Sequence, residues 1–224
     1  MITCDLQQVL FTPNLRCSSS FYLRKLSNYN LGITLANTNI AHMHIWSETM
    51  AKRGSNEVAS CIYHFITTNY EVLENGQTRT LVLWSDRCCG QNNNVILIEK
   101  LMRLIRMNYF SHVEQNFFVT GHSFNDCDRH FASIEKVMKK NTIILPTDIE
   151  KIILEAQIET PFHVTWMQRE NFLDFKNLLA FWTRPRLLQV TKNLWYQIDA
   201  NAPRNLFSRE SHCIVNILHL SYRY

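Results

Sequence analysis

Apolar and polar residues alternate with a period of two from the start of the chain. Ile2, Cys4 and Leu6 fall on one side and Thr3, Asp5 and Gln7 on the other, which predicts a strand over 2–10. The runs Asn28–Leu35 and Ile40–Trp46 flank the turn-rich tetrapeptide Ala36-Asn37-Thr38-Asn39 and predict a hairpin. After a loop over Ser47–Gly54 the period changes. Val58, Cys61, Ile62, Phe65 and Ile66 recur at helical spacing behind Ser55, a candidate N-cap. The polar stretch Glu71–Gln77 leads to a strand at Thr80–Trp84, a helix over 92–109, a strand over 115–120 and a helix over 126–140. That last helix should bury Phe131, Ile134 and Val137 or Met138. Thr147-Asp148-Ile149-Glu150 reads as a capping box opening a helix to about residue 156. Phe162–Met167 reads as a strand and 170–181 as a helix. Beyond Arg184-Pro185 the pattern weakens to strand-like pieces at Leu194–Ile198, Asn205–Phe207 and Cys213–Leu220.

The order through residue 140 is β-β-β-α-β-α-β-α. A three-stranded meander followed by two βα crossovers is the ribonuclease-H-like topology, an α/β class with a mixed sheet. In it the first strand is central and the fourth lies parallel beside it, which would set Asp5 and Asp86 on neighbouring strands. The expected organisation is one domain over 1–160 and a C-terminal α+β extension over 161–224, with Pro185 as the best boundary signal.

Bulk numbers narrow the class. With 46% hydrophobic and 19% charged residues and only 5 Gly and 5 Pro, the chain is globular in composition. No apolar run approaches the roughly 20 residues that span a bilayer. The N-terminus lacks the basic region and apolar core of a signal peptide. An intracellular location, nuclear or cytoplasmic, is therefore expected, with no membrane partner. Seven cysteines without a C-x-x-C pair suit free thiols in a reducing compartment. Net charge is +4 and uneven: residues 1–160 carry 15 charges of each sign, while 161–224 carry 8 basic and 4 acidic residues. A basic segment of this kind attracts phosphate.

The candidate chemistry lies in four acids. Asp86 ends an apolar run of strand length and precedes the turn Arg87-Cys88-Cys89-Gly90-Gln91-Asn92. In open α/β sheets the carboxyl ends of strands are where ligands bind. Asp5 stands in the first strand, Glu57 in the first turn of the first helix, and Asp128 at the start of the helix over 126–140, seven residues before Glu135 on the same face. Carboxylate oxygens suit Mg²⁺ or Mn²⁺, and two such ions about 3.5–4 Å apart can activate water against a phosphodiester. Three of the acids also have a plainer reading; Asp5, in a central strand, is harder to explain so, because a buried unpaired carboxylate is costly. Glu57 and Asp128 are favoured at helix starts by the dipole alone, and Asp86 suits a turn. His122 and His130 read first as turn or surface histidines, and Trp46, Trp84 and Phe117-Phe118 as core. Cys88, Cys89, Cys127, His122 and His130 lack the paired short spacings of a zinc site.

Several motifs resemble one family. They are Cys4-Asp5-Leu6-Gln7-Gln8-Val9-Leu10, Phe21-Tyr22-Leu23-Arg24-Lys25-Leu26 with Tyr29-Asn30-Leu31-Gly32-Ile33, and Arg53-Gly54-Ser55-Asn56-Glu57-Val58. Trp84-Ser85-Asp86 with Gly90-Gln91-Asn92, and Gly121-His122-Ser123 with Cys127-Asp128-Arg129 and Ile134-Glu135, belong with them, as do Pro161-Phe162-His163 and Phe172-Leu173-Asp174-Phe175-Lys176. The family comprises transposon-derived proteins with a ribonuclease-H-like, transposase-like domain. The resemblance covers most of residues 4–180. It implies Mg²⁺-dependent phosphodiester chemistry with Asp5, Glu57, Asp86 and Asp128 as catalytic, metal-binding acids, and nucleic acid, DNA before RNA, as partner. The chain departs from the family at Arg87, Cys89 and Asn93, where Asn, Gly and Lys are usual, and at His130, where Asp is usual. Arg87 is positioned to pair with Asp86, and Cys89 would obstruct a backbone needing positive φ. With Met1 almost on the first strand, the chain reads as a truncated or decaying copy. The expected function is a metal-dependent nuclease-like domain of uncertain activity. The alternative is a catalytically dead nucleic-acid-binding or protein-interaction module on the same fold.

Overall fold

The computed structural model describes residues 1–15, 24–118, 125–183, 189–210 and 216–222. Cys17, Phe21-Tyr22-Leu23, Gly121-His122-Ser123, Arg184-Pro185 and Cys213 lie outside them. The protein is α/β, with strands of mixed sense and, among the described residues, five α-helices. It forms two compact units. One comprises Met1–Ile2, Gly54–Ser123 and Asn171–Tyr224; the other comprises Thr3–Arg53 and Phe124–Glu170. Residues 161–170 thus fold with the N-terminal strands and 171–224 with the middle of the chain.

The first unit is built on β5 (Thr80–Ser85) and β6 (His112–Phe117), paired in parallel from Thr80↔His112 to Ser85↔Phe117. Antiparallel strands β9 (Trp195–Asp199), β10 (Asn205–Arg209) and β11 (Asn216–His219) extend from β6. Helix α1 (Ser55–Asn69) buries Val58, Cys61, Ile62, Phe65 and Ile66, the stripe expected from the sequence. Its cap is Gly54 rather than Ser55, and no side chain caps it. Helix α2 (Val95–Arg106) starts three residues later than expected because Asn92 and Asn93 remain in the turn. Asn94 caps it by accepting from the Ile96 amide at 3.0 Å. Asn108, left-handed at φ 57°, lies just past its end.

The expected helix over 170–181 is broken into a 3₁₀ turn at Arg169–Asn171, α5 (Phe175–Leu178) and a second 3₁₀ turn at Leu179–Phe181. The reason lies in α1. Asn56 donates to the Leu173 carbonyl at 2.6 Å and accepts from the Phe175 amide at 2.9 Å, while Ser60 Oγ accepts from the Leu173 amide at 3.0 Å. Backbone groups that a continuous helix would use internally are bonded to side chains instead.

In the second unit the strand expected over 2–10 is two strands, β1 (Ile2–Leu6) and β2 (Leu10–Thr12). Both lie against β3 (Leu26–Leu35). Buried Asn28 on β3 fixes the second piece, donating to the Leu10 carbonyl at 3.2 Å and to Thr12 Oγ1 at 3.0 Å. The hairpin of β3 with β4 (Ala41–Ser47) forms as expected, and β7 (His163–Trp166) adds to β4 in parallel. Helices α3 (Asp126–Met138) and α4 (Pro146–Glu155) cover this sheet. Met43, Ile45, Phe131, Ile134, Ile149, Ile152, Ile153 and Phe162 form its core. Pro146, not Thr147, opens α4, and the Asp148 carboxylate accepts the amides of Ile144 and Leu145 at 3.0 and 2.9 Å.

Candidate functional site

Asp86 follows β5 at its carboxyl end and is half-buried. The Asn92 side-chain amide donates to its Oδ1. Beneath it, Gln115 Nε2 donates to Ser85 Oγ at 3.0 Å, and Ser85 Oγ donates to the Asp86 carbonyl at 3.1 Å. The turn closes on one acceptor: the Cys88 carbonyl takes the amides of Gln91, Asn92 and Asn93 at 3.1, 2.8 and 3.1 Å. Asp86 is thus held by its turn at one oxygen. Among the described residues its second oxygen has no hydrogen-bond partner.

Two expectations about this turn change. Arg87 does not neutralise Asp86; its guanidinium donates to the Thr191 and Lys192 carbonyls at 2.7 and 3.0 Å. Cys89 carries no backbone strain either. The left-handed non-glycine residues among those described are Asn39 and Asn108, so the turn does not need glycine at position 89.

Glu57 stands in the first turn of α1, and its carboxylate folds back over the helix start. A Cβ on Gly54 would lie 3.1 Å from Glu57 Oε2, so the glycine cap leaves room for the acid. Cys61 sits one turn on, fully buried. Burial pushes its thiol well up, and the Glu57 charge adds to the rise.

In the other unit, Asp5 and Asp128 share a neighbour. Asp128 is in the first turn of α3, which Asn125 caps by accepting from the Cys127 amide at 3.1 Å. Cys127 is buried among Thr34 Oγ1 at 3.5 Å, Thr3 Oγ1 at 4.0 Å and the Gly32 carbonyl at 3.5 Å. Burial pushes its thiol up to about 12. The two threonines pull the other way, while Asp5 and Asp128 both add to the rise. One thiol therefore feels both carboxylates. Asp5 also accepts its neighbour Leu6's amide at 2.8 Å. Gly32 keeps this corner tight, since a Cβ there would meet the Phe131 ring at 3.0 Å.

Glu135, on the same helix as Asp128, lines a different place. It borders a cavity of about 250 Å³ with Lys25 and Lys139, and none of the four acids lines it. His130 is not a surface histidine: it is buried edge-on to Phe162 at 5.2 Å, and burial, with Arg129, holds its pKa down. Trp46 is core, as expected, while Trp84 is only partly buried. Asn92, Ser85 and Gln115 are the supporting residues that the acid-by-acid reading missed. Their signal was positional: polar side chains at inward positions of apolar strands, and an Asn six residues past the acid.

By donor chemistry carboxylates suit a hard cation, and the open Asp86 oxygen is consistent with one. Among the described residues no group of three or more His, Cys, Asp or Glu is gathered closely enough to hold a metal. No helix among them is long and apolar enough to cross a membrane. A family described as a domain of unknown function, DUF7869, matches residues 21–212. No curated protein and no solved structure matches the chain.

Proposed function

The chain belongs to the DUF7869 family; from its sequence motifs and the setting of Asp86 we propose that it is a transposon-derived, ribonuclease-H-like domain acting on phosphodiester bonds of nucleic acid. Asp86 and Glu57, which lie in one unit, are the carboxylates that would hold Mg²⁺ or Mn²⁺. The observation that carries the reading is Asp86: an acid at the carboxyl end of a parallel strand, one oxygen fixed by Asn92 and the other left without a partner among the described residues. Bound Mg²⁺ or Mn²⁺ would supply Lewis acidity at the phosphate and a more acidic water. The chain's own part is to fix the acids in place. Asn92 orients the Asp86 carboxylate, the Gln115–Ser85 pair anchors its backbone, and Gly54 lets Glu57 reach across the helix start. The substrate is DNA in preference to RNA, and the basic residues of 161–224 meet its phosphates.

The test is thermal melting with and without Mn²⁺, alongside cleavage of labelled DNA. Mn²⁺ should raise the melting temperature by binding only the folded state. Asp86→Asn should reduce that shift and abolish cleavage. A melting curve indifferent to Mn²⁺, with DNA left intact but bound, overturns the nuclease reading and leaves the catalytically dead binding module.

A further inference from the structure

The strands of the first unit have two unlike faces. Leu81, Leu83, Val113, Phe117, Tyr196 and Ile198 are buried, and α2 packs against β6 and β9. The alternate residues are partly exposed. On that open face, pairing register sets Trp84, Asn116, Trp195 and Arg209 in one row across β5, β6, β9 and β10. Trp84 and Trp195 are two strands apart, about 10 Å at ordinary strand spacing.

Both rings have company. Phe118 lies against Trp84 with centroids 5.3 Å apart and planes at 32°. The Arg209 guanidinium sits 4.4 Å over the Trp195 ring. Among the described residues no carboxylate pairs with Arg209, and its Nε has no acceptor. Glu114, on the same strand as Asn116, is taken: His112 holds one of its oxygens at 2.8 Å and Trp195 Nε1 the other at 3.3 Å. Arg87 and exposed Lys192 lie at the same end of the strands, joined through the Lys192 carbonyl. Asp86 is there too, two residues past Trp84.

We propose that this row is a platform for single-stranded nucleic acid. Bases stack on the Trp84–Phe118 pair and on Trp195, while Arg209 and Lys192 meet the phosphates. The inference rests on the nucleic-acid reading above and adds to it a surface and a substrate form. Every base has a π-face that an aromatic ring can stack on, but paired and stacked bases in a duplex do not offer it. A row of rings on an open sheet with unpaired cations therefore favours a single strand over a duplex.

The experiment is fluorescence anisotropy with labelled oligothymidine of about fifteen nucleotides, against the same length of duplex, without divalent metal. The wild type should bind the single strand about tenfold or more tightly than the duplex and quench tryptophan emission. Trp195→Leu and Arg209→Gln should each weaken binding about tenfold while melting stays near wild type. Arg209→Gln lies on the open face and guards against loss of fold in the tryptophan variant. Because binding is read without divalent metal, it does not depend on cleavage, and failure of the nuclease reading leaves this result untouched. No binding by the wild type, or binding that is blind to both substitutions or to strandedness, overturns the platform.

Discussion

The two units differ in where they carry charge. In the unit closed over by α3 and α4, the buried polar side chains are mostly neutral amides, hydroxyls and a thiol: Gln7, Asn28, Asn30, Thr34 and Cys127. They bond to one another or to backbone, as when Asn30 donates to Gln7 Oε1 at 2.9 Å. In the other unit, the open sheet face carries charges, His112 between Glu114 and Asp199 and Arg209 on Trp195. Two charged side chains, Glu99 and Lys100, are buried on α2 of that unit, and Glu99 is bonded to Arg106. An isolated charge is too costly to bury, so a closed core selects neutral polar groups and an open face tolerates ionic ones. A site that must gather charge for substrate is accordingly easier to build on the open unit.

The most forceful way to break this comparison is packing. Ile134 on α3 is fully buried in the closed core, so Ile134→Ala should cost about 3 kcal/mol. Val82, on the open face of β5, is only partly buried, and Val82→Ala should cost less than about 1 kcal/mol. Urea denaturation of both variants checks this. Equal costs would mean that the open face is packed as tightly as the core.

Histidines sharpen the comparison next. His42 on β4 stacks on His163 of β7, ring centroids 4.6 Å apart. Burial and then the His163 charge lower its pKa from 6.5 to about 4. Between those values the unfolded chain binds the extra proton, so stability is complete above about 6.5 and falls as pH drops toward 4. Allowing for partial exposure, the loss should be about 2 kcal/mol. His42→Gln should flatten that acid limb in melts taken across the range. An unchanged acid limb would show that the stacked pair carries none of it.

Periodicity made much of this legible. The α1 stripe, the β3–β4 hairpin and the Phe131–Ile134 face were plain because burial on one side writes a repeat into the sequence. What was not legible depended on partners distant in sequence. Nothing in 170–181 announces that Asn56 and Ser60 will take the backbone bonds of Leu173 and Phe175. Nothing in 2–10 announces that Asn28 will tie Leu10 and Thr12 into a second strand. The same holds at the site. Asp86 was visible as an acid ending a strand. The direction of Arg87 was not, because its partners, the Thr191 and Lys192 carbonyls, lie over a hundred residues away. The Trp84–Trp195–Arg209 row is a register effect, and register across β5, β6, β9 and β10 cannot be read from any one strand.

The smallest effect expected belongs to the open face, and its sign is the reverse of His42. His112 Nδ1 lies 2.7 Å from Asp199 Oδ1, and its Nε2 lies 2.8 Å from Glu114 Oε1, which ties β6 to β9. Burial pulls its pKa down, but the hydrogen bonds to Glu114 and Asp199 and their charges outweigh it, and the net shift is upward from 6.5. A raised folded pKa means that the folded state keeps the proton longer. The stability is therefore fully present below 6.5 and fades as pH rises through the folded value. The three side chains are 23–30% exposed, so solvent screening should hold the contribution below about 1 kcal/mol. His112→Gln should remove this alkaline loss and leave the acid limb of His42 in place, while added salt should shrink it in the wild type. Melts of the two glutamine variants from acid to mildly alkaline pH decide the matter. If both variants alter the same limb, charge on the open face and burial in the closed unit are not the opposed forces the two units display.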